Sequence, residues 1–192
     1  MTASTTAPCA PVTLDTSYNT HVDYSGGNLK ATTNAGTSGD RGVIPTESKV
    51  TGKWYWEIAY TKESVWCGLA QIGVADPAGA CGELWNIGGR FRYVGFGGAS
   101  FCDEIAFTCG DTLGFAWDVD NHLLWIAKNG VWSSGDPGAG TGSCDIGTTY
   151  AWIPRSAIGP SFAGNQVSQT WNFGGSAFTY TKPSGFDDYD EC

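Results

Sequence analysis

Two aspartates one residue apart, in Asp118-Val119-Asp120-Asn121, are the first residues in this chain whose spacing suits chemistry. Paired carboxylates cleave glycosidic bonds when one donates a proton and the other attacks or activates water. On a strand, Asp118 and Asp120 would share a face. No third acid follows at the spacing of Glu-x-Asp-x-x-Glu, and Asp103-Glu104 is the only other adjacent pair considered for this role. The segment instead reads as a turn, where Asp and Asn bond their own backbone. A calcium loop starting at Asp118 would need Gly where Leu123 stands and Glu where Asn129 stands, so that pattern fails. The two histidines, His21 and His122, have no Ser or Cys partner at a nucleophile's spacing. Gly-x-Ser-x-Gly, phosphate-loop and dinucleotide motifs do not occur. No catalytic residue, metal ligand or cofactor is expected.

Aromatic and basic side chains at or beside loops are better candidates. Trp85, Trp132 and Trp152 are placed there, together with Arg90, Arg92 and Arg155. Trp and Arg are the types that anchor interfaces, and Trp also stacks on sugar rings. The plain alternative is that these tryptophans cap a core.

The elements that must position them are strands. The chain has 192 residues, with 28 Gly, 9 Trp, 8 Tyr and 9 Phe. No helix-length window carries an apolar period of 3.6 residues. From Gly110 to Trp132 two apolar strands and the start of a third are joined by tight polar turns at Asp118 to Asn121 and at Asn129-Gly130. Asn-Gly is a strong hairpin signal because both turn positions take positive φ. Gly52 to Tyr60 predicts a strand with Trp54, Trp56 and Ile58 on one face and Tyr55 and Glu57 on the other. Val65 to Val74, Arg90 to Gly95, Ala151 to Ile153, Ile158 to Ala163 and Gln166 to Phe173 predict further strands. Residues 76–89 and 133–147 read as loops. About a dozen short strands with frequent turn signals predict an all-β, two-sheet antiparallel sandwich. Residues 1–12 read as a flexible arm, 13–186 as one domain and 187–192 as a solvated acidic tail.

Nineteen acids against ten bases give a net charge of −9, which argues against a nucleic-acid surface. The most apolar run, Val65 to Ala75, is too short to span a bilayer. Residues 1–11 lack the basic and apolar regions of a signal peptide. Seven cysteines leave at least one unpaired within the chain, and none forms Cys-x-x-Cys. Most are expected to be reduced thiols, with Cys102 and Cys109 the closest candidate pair; one or two disulfides are expected if the mature protein lives outside a cell.

Gly52-Lys53-Trp54-Tyr55-Trp56-Glu57-Ile58, Gly73-Val74-Ala75, Gly110-Asp111-Thr112-Leu113-Gly114, Asp118-Val119-Asp120 and Lys128-Asn129-Gly130 resemble, in order and spacing, the blocks of SPRY domains. Tyr24-Ser25-Gly26-Gly27-Asn28-Leu29 and the ending Asn172-Phe173-Gly174 to Phe186 are similar to SPRY-like proteins of tailed bacteriophages. The resemblance implies a concanavalin-like sandwich and a non-enzymatic binding module. It implies a virion component, in capsid decoration, head fibre or tail, with other virion proteins as partners and a homo-oligomer or symmetric array on the particle. A host surface protein or glycan is a further expected partner. The alternatives are a lectin-like module for host glycans and, behind it, a glycan-cleaving enzyme. The extra cysteines and the acidic ending depart from the family pattern.

Overall fold

The computed structural model describes residues 10–34, 42–62, 69–75, 83–86, 91–95, 98–100, 107, 110–146, 152–159 and 166–191. The strands are β1 (Val22–Ser25), β2 (Lys30–Thr33), β3 (Gly42–Val43), β4 (Lys53–Lys62), β5 (Leu69–Ala75), β6 (Glu83–Asn86), β7 (Phe91–Gly95) and β8 (Gly98–Ser100). They continue with β9 (Thr112–Asp118), β10 (Leu123–Lys128), β11 (Val131–Trp132), β12 (Cys144–Asp145), β13 (Ile153–Gly159), β14 (Val167–Asn172) and β15 (Asp187–Asp188). One sheet runs β1-β2-β14-β4-β9-β10-β11, with β12 beside β10 and β15 beside β4. The other described strands pair as β3-β13-β5 and β6-β7-β8. Among the described strands every pairing is antiparallel except β15 on β4. The expected all-β sandwich is the observed architecture.

The large sheet supplies most of the core, because its central strands carry aromatic residues at every second position. Trp56 and Ile58 of β4, Phe115 and Trp117 of β9, and Trp171 of β14 are buried against Val43 and Trp152 from the opposing side. Trp56 stacks on its register partner Phe115 at 5.1 Å between ring centroids. Offset rings of this kind add to the roughly 150–250 Å² that each buries. The Tyr60 hydroxyl bonds Ser156 Oγ at 3.2 Å, joining β4 to β13.

The turns follow from their residues. Asn129 (φ 51°) and Gly130 (φ 79°) both take the left-handed conformation that a two-residue hairpin demands. Asp118 Oδ1 accepts the Asn121 backbone N–H, closing the β9–β10 turn.

The outer face of the large sheet is also covered, a feature absent from the strand pattern. Tyr55, Ala116, Trp125 and Phe186 form a second buried cluster there. The segment after β14 crosses this face as a strap and returns as β15, pairing Asp187 with Trp54 and Asp188 with Tyr55. Tyr189 then enters the main core, its ring 5.5 Å from both Trp56 and Phe173. The expected solvated tail at 187–192 is therefore corrected: Tyr189 is fully buried, and burial of its ring holds the neighbouring acids against the sheet. Residues 1–9 of the expected arm lie outside the described residues, but Val12 is buried and its N–H donates to Asp190 Oδ1.

Three further expectations change. Residues 83–86 form a strand within the expected 76–89 loop. The two strands expected at 151–153 and 158–163 are replaced, over the described residues, by one continuous β13. The 133–147 loop contains a 3-10 turn at Pro137–Ala139 and the short β12.

Candidate binding site

The aspartate pair is committed to structure. Asp118 Oδ2 accepts from Asn121 Nδ2 at 2.8 Å and sits 2.9 Å from Lys53 Nζ. Burial opposes ionisation of Asp118, but the bonds from Asn121 and Lys53 outweigh it and hold the carboxyl below its ordinary value. Asp120 Oδ2 accepts the Gly52 backbone N–H at 3.1 Å. Both carboxylates thus tie the β9–β10 turn to the start of β4. Among the described residues no group of three or more His, Cys, Asp or Glu is placed to hold a metal ion.

Of the six loop candidates, Trp132, Trp152 and Arg155 have described side chains, and these lie in different parts of the fold. Trp85 and Arg92 are direct register partners on β6 and β7. Arg90 lies outside the described residues. Trp152 is 5% exposed and belongs to the core, so its ring is not presented to a ligand. Trp132 is half-buried and meets Tyr55 edge to face at 6.3 Å, as part of the outer-face cluster. Arg155 is half-buried on β13, its guanidinium so close to Gly42 that a Cβ there would lie 2.9 Å from Nη2.

The described structure has a cleft whose lining residues include none of these candidates. It opens on the outer face of the large sheet, between the β1–β2 hairpin and the first residues of the strap. Its volume is about 430 Å³. The floor is a cross-strand row: Lys30 opposes Thr170, Thr170 opposes Ala59, and Ala59 opposes Thr112. Side chains directly opposite on one face stand about 5 Å apart, so the row is set by register alone. Asn172, Ser176 and Thr179 form the strap wall, and Gly26 with Leu29 the hairpin wall. A second cleft of about 520 Å³ shares Leu29, Asn172 and Ser176 and runs on toward Pro11 and Asp190.

Glu57 fixes the strap wall. It is 2% exposed, and its oxygens accept the Thr179 and Tyr180 backbone N–H groups at 2.8 and 2.9 Å and the Tyr55 hydroxyl at 3.0 Å. Burial pushes the Tyr55 hydroxyl pKa strongly up, with the Glu57 carboxylate adding to it, so the phenol stays a donor. Asn172 closes the strap's first bend, its Oδ1 accepting Gly174 N–H at 3.0 Å and its Nδ2 donating to Ala177 O at 3.1 Å. The sequence carried a partial signal for this cleft. The polar positions of β14, Ser168, Thr170 and Asn172, mark the outward face, but only the register brings Lys30 and Thr112 into line with them.

Cys144 is disulfide-bonded, and its partner is outside the described residues. This is one disulfide among seven cysteines; the expected Cys102–Cys109 pair lies outside the described residues.

No protein-family model matches the sequence. Solved structures do match the fold. The SPRY domain of human HERC1 is 16% identical, with a TM-score of 0.56 over 82% of this chain and 96% of that one. Another human SPRY domain is 12% identical, with a TM-score of 0.53 over 78% and 94% of the two chains. The PSpry domain of TRIM65 is 15% identical, with a TM-score of 0.52 over 85% and 92%. At these identities the likeness is one of fold.

Proposed function

We propose that this chain is a non-enzymatic, SPRY-like binding module carried on a virus particle as a capsid-decoration, head-fibre or tail component. The observation that carries the reading is the SPRY-like sandwich together with its ending. The block from Asn172 to Phe186, similar to SPRY-like phage proteins, is the strap that seals the outer face of the large sheet. The committed geometry of Asp118 and Asp120 favours binding over glycan cleavage. The Cys144 disulfide is an independent support, since disulfides persist at virion and cell surfaces and are rare in reducing cytosol.

Its partners in this reading are neighbouring virion proteins, with copies of the chain arranged symmetrically on the particle. Mass spectrometry of gradient-purified particles, with immunogold labelling of the intact virions, tests it. Peptides from this chain and gold at capsid or tail are expected. Recovery of the chain only in the soluble fraction of infected cells would overturn the virion assignment.

A further inference from the structure

We infer that the outer-face cleft is a binding site for a neutral, hydroxyl-rich ligand of the oligosaccharide class. The inference stands apart from the virion reading, because it concerns the chain alone.

Three features specify the ligand. First, the floor is made by β2, β14, β4 and β9, all interior strands whose backbone groups are used in pairing. A peptide therefore cannot add as a further strand there, since that mode needs an open edge. What the floor offers is side chains: Thr170 and Thr112 on either side of Ala59. Threonine hydroxyls donate and accept, as sugar hydroxyls do, and the small Ala59 lets a ring lie close between them. The two threonines are about 10 Å apart by strand spacing, a span suited to more than one sugar unit. Second, the cleft carries one charge of each sign, Lys30 in the floor and Glu57, which already spends both oxygens on the strap, while the molecule as a whole carries a net charge of −9. A sulfated or carboxylated glycan would meet that field, whereas a neutral one would not. Third, the wall is pre-organised. Glu57 and Asn172 fix the strap backbone at both ends of the Ala177–Thr179 stretch, so binding orders little new chain.

A cleft of about 430 Å³, sharing Leu29, Asn172 and Ser176 with a neighbouring one of about 520 Å³, is in the size range of ligand sites. The glycan contact is thereby placed on residues that include neither Trp85 nor Trp132.

The test uses the full chain on an array of neutral, sulfated and sialylated oligosaccharides, followed by calorimetry with the best neutral oligosaccharide. Binding to neutral glycans is expected. The double variant Thr112→Val/Thr170→Val keeps the side-chain shape and should weaken it about tenfold or more. Circular dichroism and thermal unfolding establish that the variant is folded; if it is not, Ala59→Ser and Thr170→Ser, tested singly, should shift affinity in its place. Trp85→Ala should leave affinity within about twofold. No binding to any neutral glycan, a preference for anionic ones, or full affinity in the folded threonine variant would overturn the inference.

Discussion

Glu57 shows how one side chain can hold a segment in place. It is buried beside the outer face, and three donors converge on it, two of them backbone N–H groups of the strap. In Glu57→Gln the amide nitrogen would face at least one of those donors. A mispaired buried group of this kind costs about 1–3 kcal/mol. Urea unfolding should show that loss, and hydrogen exchange should show early opening at residues 178–181. Asp118 makes a second residue-scale prediction. Its folded pKa is depressed, through the net effect of Asn121 and Lys53 against burial. A depressed carboxyl contributes stability above its unfolded value, which is lost as pH falls through the folded one. Stability should therefore decline below about pH 4, and Asp118→Asn should flatten that acid limb in pH-dependent unfolding curves.

At the scale of elements, the hairpins and central strands were legible in the sequence, and the reasons are local. Asn129-Gly130 has one economical backbone solution, and Trp54 to Tyr60 alternates cleanly enough to fix β4. What strand pattern could not show was that β4 is buried on both sides. Tyr55 and Glu57 read only as the second face of the strand, and they are covered by a segment more than 120 residues later in the chain. The acidic ending misled for a related reason: Asp187, Asp188, Asp190 and Glu191 surround a single aromatic ring, and that ring decides the placement. The cleft was legible only in the polar positions of β14, because its floor is a register, and register across four strands is a tertiary property. Gly114 gives this packing a direct test. It sits opposite Glu57 on β9, and a Cβ there would come within 2.6 Å of the Tyr55 hydroxyl. Gly114→Ala should push Tyr55 off Glu57 and cost about 1–3 kcal/mol by overpacking. Thermal unfolding of Gly114→Ala alone and with Tyr55→Phe checks the cause, because removing the hydroxyl should recover part of the loss.

For the whole molecule, residues 189–191 act as a lock on the segments around Val12 and Glu47 to Lys49. Val12 N–H bonds Asp190, Lys49 Nζ bonds the Glu191 carbonyl, and the Tyr189 hydroxyl bonds Glu47 O at 2.9 Å. Tyr189→Ala should cost about 3–5 kcal/mol, the range for a large buried aromatic, in a urea titration. Alkali should attack the same lock. Burial raises the pKa of Tyr24 to about 12, and those of Tyr55, Tyr60 and Tyr189 further still, above the ordinary value of 10. A raised phenol pKa means that the folded state holds its proton more tightly than the unfolded chain. Its contribution is complete below the unfolded value and is lost as pH rises toward the folded one. The molecule should therefore be insensitive to pH through neutrality and unfold cooperatively above about pH 10. Tyrosinate absorbance should rise together with the loss of near-ultraviolet circular dichroism, because these phenols ionise only when the core opens. Early, separate ionisation of all four tyrosines with the fold intact would contradict this coupling.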